Sequence, residues 1–304
     1  MMAMRNAARR DSVATLGKQL FWPSRSFVSK LISATGLPVT VDQVFKAVGP
    51  QRDGSEFLKV LGAGHVDEID AAEYEGASIV HDMNVPLPPE HRQRYDLVFD
   101  GGCLEHIFDT RQVLENVGAL LRVGGIFVGT TSGNNQLGHG FYQFSPELFY
   151  RFFCPENGWG STAVFLSEHQ YDPPRFWFAE DPQAKGYRIE VQNRSQLYLM
   201  VVAERMAHPT SLKLPQQSDY VAAWTKNAGI RDGVATSARS ASAPLETGKA
   251  LLRKLGAGKL RRLMPAVFSK RAIGLRQPGI HPMSIHDFAN YSLRQSSFGK
   301  QPAG

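Results

Sequence analysis

The clearest pattern of hydrophobic and polar positions lies between residues 95 and 128. Leu97, Val98 and Phe99 form an uninterrupted apolar run, as in a central parallel strand covered on both faces. Asp100 ends this run, and two glycines follow it. Apolar residues then recur at helical spacing, at Val113, Val117, Leu120 and Leu121. A second glycine pair precedes another apolar run, so the pattern predicts strand, turn, helix and strand, with an acid at the end of the first strand.

Apolar runs elsewhere predict the rest of an α/β sheet. Strands are predicted at 12–17, His65–Asp70, Ala77–Val80, Ala163–Leu166 and Leu197–Ala203. Residues 25–61 show helical periodicity, which predicts a long helical insertion after the first strand. The last two strands are expected to pair as an antiparallel hairpin. The segment 171–187 is rich in proline and aromatic residues, and we interpret it as a loop on the substrate side.

Three acids end three successive predicted strands, namely Asp70, Asp82 and Asp100. The carboxyl ends of parallel strands form the crevice in which open α/β sheets bind ligands. A carboxylate accepts hydrogen bonds from two neighbouring hydroxyls, so Asp70 suits the ribose of a nucleoside. The alternatives are that Asp70 caps a turn and that Asp82 forms an Asx turn before a proline-rich loop. Together the three acids favour a nucleoside-bearing ligand.

The order DLVFDGG, LEH and VLENVGALLRVGGIFV resembles the second half of class I S-adenosylmethionine-dependent methyltransferases. The later run GHGFYQFSPELF is similar to a subgroup of bacterial methyltransferase-like proteins. The resemblance covers roughly residues 12–205. It implies a Rossmann-like class I methyltransferase sheet, mostly parallel with seven strands and flanked by helices. It also implies S-adenosylmethionine as the cofactor.

The resemblance further implies which residues hold that cofactor. Asp82 matches an acid that accepts from the adenine amine, and Met83 would lie against the ring. The implied cofactor-binding set is Gly17, Gln19, Asp70, Asp82, Met83, Asp100 and Gly101. The chain departs from the family at Gly17-Lys18-Gln19, where a Gly-x-Gly is usual, and at Thr15, where an acid is common. One alternative to an enzyme is therefore a degenerate methyltransferase-like protein that acts as a binding partner, and another is a membrane-surface adaptor that acts through the basic C-terminal tail.

A base is needed in methyl transfer only when the acceptor must lose a proton, as a hydroxyl must. The candidate catalytic residues are His139, His106 and Glu105. His139 is flanked by glycines that would let it approach a ligand, although it could equally brace its loop, and His106 could be structural. Neutral polar residues in the same loop suit a small or saccharide acceptor, and they are Asn134, Asn135, Tyr142 and Gln143. The subgroup's likeness to proteins of surface-glycan pathways favours a sugar hydroxyl or amine.

Composition limits the remaining possibilities. Only two cysteines are present, Cys103 and Cys154, so we predict no metal site, no disulfide framework and a cytoplasmic location. The net charge of +6 is uneven, because residues from 245 onward contain 11 Lys and Arg against 2 Asp and Glu. In the segment 249–276, Lys and Arg residues are interspersed with apolar residues, which suggests that this segment contacts the inner face of an anionic membrane. The alternative is a solvated basic tail, and nucleic acid is not expected.

These features predict three parts of the chain. Residues 1–208 form the Rossmann-like domain, 209–244 a linker, and 245–304 a basic tail that is disordered or amphipathic in part.

Overall fold

A computed structural model describes residues 11–232, Leu275 and residues 278–291. Within these residues the strands are β1 (Ser12–Leu16), β2 (His65–Asp70), β3 (Ile79–Val80), β4 (Tyr95–Asp100), β5 (Leu121–Asn134), β6 (Trp159–Glu168), β7 (Arg175–Ala179), β8 (Leu197–Arg205) and β9 (Ile280–Met283). The helices are α1 (Arg25–Thr35), α2 (Val41–Val48), α3 (Gly54–Val60), α4 (Thr110–Leu120), α5 (Pro146–Phe152), α6 (Pro182–Lys185), α7 (Ser218–Asp232) and α8 (Ile285–Asn290).

One mixed sheet contains all nine of these strands, in the order β3-β2-β1-β4-β5-β8-β6-β7-β9. The pairs among β1 to β5 are parallel, whereas β8, β6, β7 and β9 are antiparallel to their neighbours. The order 3-2-1-4-5 reverses direction between β1 and β4, which is the switch point of a doubly wound α/β fold. The α/β fold is as predicted, and the sheet has two strands more than the seven expected.

The central strands β1 and β4 are buried on both faces, which explains why their apolar runs are nearly continuous. Val13 and Leu97 belong to one hydrophobic cluster, whereas their neighbours Ala14 and Val98 belong to the cluster on the opposite face. Adjacent residues of a strand point to opposite faces, so apolar residues are favoured at successive positions when both faces are covered.

Three helices fill the segment between β1 and β2, where the sequence indicated a helical insertion. Thr40 and Gln43 form a capping box at the start of α2, and Asp53 caps α3 through two backbone amides. The helices share a small cluster of their own that includes Phe21, Val28, Val44 and Val48. The start of α3 lies close to the end of β1, because the Gly54 amide donates to the Gln19 carbonyl at 2.8 Å.

Residues 280–290, which lie within the predicted tail, pack against the rest of the domain. Strand β9 pairs with β7, and the Phe288 ring of α8 stacks on Phe176 with centroids 4.0 Å apart. The Asn290 side chain also donates to the Ala34 carbonyl of α1, at 2.8 Å. Residues assigned to the tail thus complete the sheet, while α7 lies in the predicted linker. The proposed membrane segment 249–276 lies outside the described residues except for Leu275.

None of the helices that the structure describes is both long enough and apolar enough to cross a membrane.

Candidate functional site

The parallel register brings the ends of three strands together. Leu16 at the end of β1 lies opposite Ile69 on one side and Asp100 on the other. Gly17 and Asp70, one residue further along each strand, therefore lie on the same edge of the sheet as Asp100. This edge is the crevice at the switch point, where doubly wound folds bind ligands.

Gly17 lies at the floor of this crevice in a left-handed conformation, with φ of +69°. Its amide donates to the Ile69 carbonyl at 2.7 Å. A Cβ at this position would lie 3.6 Å from Asp70 Oδ2 and 3.8 Å from Cys103 Sγ. A residue without a side chain leaves this space open, and a non-glycine residue rarely adopts this backbone conformation.

Gln19 spans the crevice from β1 to β4. Its side-chain nitrogen donates to the Leu16 carbonyl at 2.5 Å. Its Oε1 lies against Gly101, so closely that a Cβ on Gly101 would collide with it. Gly17, Gln19, Asp70 and Gly101 are therefore brought together as predicted, with the Gln19 side chain covering the opening between them.

Asp100 is completely buried at the inner end of the crevice. Its Oδ1 accepts from the Gly102 amide at 3.2 Å and from the Cys103 amide at 2.7 Å. Its Oδ2 is buried and has no hydrogen-bond partner among the described residues. Burial, together with the negative charge of Glu105, raises the pKa of Asp100 to about 7. A buried carboxyl oxygen without a partner is costly, and such groups cluster at functional sites, so this edge is the candidate site.

Asp82 and Met83 are placed differently from the other predicted cofactor residues. Asp82 is exposed, and its Oδ1 accepts from both the backbone and side-chain nitrogens of Asn84, at 2.9 and 2.8 Å. This is the Asx turn that the sequence left open, and these hydrogen bonds lower the pKa of Asp82. Met83 is only 4% exposed, with its Sδ 4.0 Å from the Asn116 amide nitrogen. The structure does not bring Met83 to the open crevice.

The three candidate catalytic residues lie together on the β5 side of the crevice. Glu105 is in a short 3-10 turn, Leu104–His106, and its carboxylate is 1% exposed. His139 Nε2 lies 3.7 Å from Glu105 Oε1, and the rings of His106 and His139 are 5.3 Å apart. The turn and the loop after β5 are joined because the Phe141 amide donates to the Glu105 carbonyl at 2.8 Å.

The four predicted acceptor-binding residues use their polar groups to brace loops. The side chains of Asn134 and Asn135 both donate to Asn193, at 2.9 Å. The Tyr142 hydroxyl donates to a backbone carbonyl at 2.8 Å, and Gln143 Oε1 accepts from a backbone amide at 2.8 Å. In this conformation these residues position the loop that carries His139.

Three residues of the site were missed in the sequence analysis. Cys103 lines the crevice, and burial together with Asp100 and Asp70 raises the pKa of its thiol to about 12, so the thiol is uncharged. Thr131 and Ser132 donate their hydroxyls to Glu105, at 2.6 and 3.1 Å. The available signal for Thr131 and Ser132 was a run of three hydroxyl residues, 130–132, shortly after the apolar run of β5.

A cavity of about 780 Å³ lies elsewhere, and its lining includes Arg151, Glu180, Lys213 and Trp224. Its lining contains none of the predicted site residues, so it is separate from the crevice at the switch point.

No family model matches the chain, and no curated protein matches it. Among solved structures, a geranyl diphosphate methyltransferase in complex with SAM is similar, at 11% identity and a TM-score of 0.38, over 67% of this chain and 83% of the other. A SAM-dependent methyltransferase of Thermotoga maritima is similar at 12% identity and a TM-score of 0.33, over 66% and 85%.

The citrinin polyketide synthase CMeT domain is similar at 10% identity and a TM-score of 0.34, over 67% of this chain and 48% of its own length. These overlaps are partial and distant, and they assign no function to this chain. The topology and site themselves define a doubly wound α/β protein with two carboxylates and a glycine turn at its switch point.

Proposed function

We propose that this chain binds S-adenosylmethionine at the switch point and transfers its methyl group to a small or saccharide acceptor. The observation that carries this proposal is the convergence of Gly17, Asp70 and Asp100 at the ends of adjacent parallel strands. These residue types are the ones that the resemblance to class I methyltransferases requires at the ends of the first, second and fourth strands.

The crevice has one carboxylate that could bind the ribose of this cofactor and another that could lie near its sulfonium. Asp70 Oδ2 faces the space beside Gly17 and has no hydrogen-bond partner among the described residues, so it can accept from both ribose hydroxyls. The buried Asp100 carboxyl lies deeper, where a positively charged sulfonium would favour its ionised form. Gln19 must move away from Gly101 to admit the ligand, and this movement breaks the hydrogen bonds of its side chain to the Leu16 and Gly17 carbonyls.

The acceptor would enter from the side of the histidines. Phe108 and Phe141 are 70% and 64% exposed, and their rings meet edge to face at 5.8 Å beside the loop that carries His139. Aromatic faces of this kind bind the apolar faces of sugars and other small molecules. Glu105, His106 and His139 supply groups that can help a hydroxyl lose its proton. A sugar hydroxyl or amine in surface-glycan biosynthesis is our preferred acceptor.

The first test is calorimetric titration of the full chain with S-adenosylmethionine and S-adenosylhomocysteine. We expect micromolar binding that Asp70→Ala weakens by at least about tenfold, because one carboxylate loses two charge-assisted hydrogen bonds. Glu90→Ala is a matched control, since it removes an exposed acid in a turn outside the crevice. Folded protein that binds neither ligand would refute the enzyme and favour the alternative, a degenerate methyltransferase-like binding protein.

We also propose that residues 249–276 bind the anionic lipid surface on the inner face of the cytoplasmic membrane. This proposal is supported by the concentration of positive charge and apolar residues in that segment. The test is sedimentation with liposomes that contain anionic lipid, for the full chain and for a variant whose Lys and Arg in this segment are replaced by Gln. Truncation is unsuitable because it would also remove β9 and α8. Equal sedimentation of both proteins would refute the proposal.

A further inference from the structure

Glu105, His106 and His139 form a compact cluster beside the crevice. Each of the three side chains offers one ligand atom, and these atoms lie within 4.8 Å of one another. Two imidazole nitrogens and one carboxylate oxygen on the same side of an ion form a facial triad, which leaves further coordination positions open. We propose that this cluster binds one first-row divalent cation such as Zn²⁺, Mn²⁺ or Fe²⁺.

The backbone holds the three residues in place. The Phe141 amide donates to the Glu105 carbonyl at 2.8 Å, which fixes the loop after β5 against the turn after β4. Gly140 permits this contact, since a Cβ there would lie 2.7 Å from the Glu105 carbonyl oxygen. The two elements that carry the histidines are thus tied together next to Glu105 itself.

The charge of Glu105 also favours a cation. Its carboxylate is buried, and within the described residues it receives hydrogen bonds only from the neutral hydroxyls of Thr131 and Ser132. The nearest group that can be positively charged is His139, at 3.7 Å. A buried carboxylate without a Lys or Arg partner is costly, and a bound cation would compensate it. Hydroxyl donors to a ligating carboxylate are typical of the outer coordination sphere, where they orient the ligand.

The histidines have the freedom that binding requires. Ligand atoms around an ion with bonds of roughly 2.0–2.2 Å lie about 3 Å apart, so the side chains must approach one another by about 1–2 Å. Both histidines are exposed, and glycines flank His139, including Gly138 in a left-handed conformation. The exposed side of the ion remains accessible to an acceptor.

Binding of the cation does not depend on the proposed function, but a role for the cation in catalysis rests on it. In that role the cation would activate the acceptor of the methyl group. The cation withdraws electron density from an acceptor hydroxyl, so the O–H bond breaks more readily and the proton leaves to bulk water. The oxygen electron pair then forms the new bond to the methyl carbon. The S–CH₃ bond breaks as this bond forms, and its electrons remain on sulfur, which becomes a neutral thioether. His139 is then a ligand and not the base.

The test is metal binding by the full chain without any cofactor. Protein treated with EDTA, and then freed of it, is titrated with ZnCl₂ by calorimetry and with CoCl₂ by visible absorption. We expect one equivalent to bind, with Co²⁺ absorption bands that report histidine ligands. His106→Ala and His139→Ala should each weaken binding by more than about 100-fold, and Thr131→Val by about 10–100-fold, the range for an outer-sphere partner.

His286→Ala is the matched control, because His286 is an exposed histidine on α8 and belongs to no such cluster in the described residues. It should leave the affinity unchanged. All nine histidines of the chain lie in the described residues, so the others can be tested in the same way. Absence of Zn²⁺ and Co²⁺ binding, or equal affinity in His106→Ala, His139→Ala and the wild type, would overturn the proposal. Metal binding without S-adenosylmethionine binding would leave the cation site standing and refute the proposed function alone.

Discussion

Replacement of Asp100 by Asn should change how the stability of the protein depends on pH. Asp100 is buried, and its pKa is raised from 3.8 to about 7. The folded state therefore binds a proton that the unfolded chain has released. The stabilisation that this proton provides is complete below about pH 4 and is lost as the pH rises through about 7. Asn cannot ionise, so the variant lacks this dependence.

The magnitude follows from the size of the pKa shift. A shift of about three units corresponds to about 4 kcal/mol between the fully protonated and fully ionised limits. Between about pH 5 and about pH 8.5, the wild type should lose about 2–3 kcal/mol of stability through this group. Asn keeps an oxygen for the Gly102 and Cys103 amides, so the fold should persist in the variant.

The assay is urea unfolding of both proteins at several values of pH across this range. The free energy of unfolding of Asp100→Asn, relative to wild type, should rise by about 2–3 kcal/mol from the acid to the alkaline end of the range. Asp96→Asn on the same strand is the control, because Arg122 and the Ser12 amide already satisfy its carboxylate. A difference between wild type and Asp100→Asn that stays constant within about 0.5 kcal/mol would refute the reasoning.

Three further substitutions test single features of the fold. Gly17→Ala should lower the free energy of unfolding in urea by about 1–2 kcal/mol, because the φ of Gly17 is +69°. The new Cβ itself would fit, since its nearest neighbour would be 3.6 Å away. An unchanged free energy of unfolding would contradict this reasoning. Gly140→Ala should displace the loop from the Glu105 carbonyl, seen as faster hydrogen exchange at the Phe141 amide; unchanged exchange would argue against this contact. Asn116→Ala should cost about 3 kcal/mol by leaving buried backbone groups near Leu87 unpaired, and a loss below about 1 kcal/mol would count against that role.

The parallel half of the sheet could be predicted because its signals are local. Runs such as Leu97 to Phe99 are apolar at every position, and the acids and glycines that follow them mark the strand ends. Strand β7 was missed because its segment is rich in proline and aromatic residues, which are also typical of loops. Strand β9 carries almost no signal, since it has four residues and includes Pro282, which only an edge strand accommodates.

Some residues of the candidate site could likewise be located from the sequence, and others could not. Gly17, Asp70 and Asp100 could be identified because a position at the end of a parallel strand fixes a place on the sheet edge. The environment of Met83 could not be identified in this way, because it involves a residue far away in the sequence. The Asn116 side chain donates to the Met83 carbonyl. The grouping of Glu105 with His139 likewise depends on how the loop after β5 folds back, which the hydrophobic pattern does not encode.

Pairing of β7 with β9 has a consequence for the newly made protein. Trp177 lies opposite Pro282, so the partner of β7 is synthesised more than 100 residues later. At about 5–20 residues per second, the ribosome would need about 5–20 s to supply it. During that interval one edge of β7 lacks its final partner and can pair with the same strand of a neighbouring nascent chain. Slow translation or crowded polysomes should therefore favour aggregation of this protein before it is released, even where the finished chain is stable.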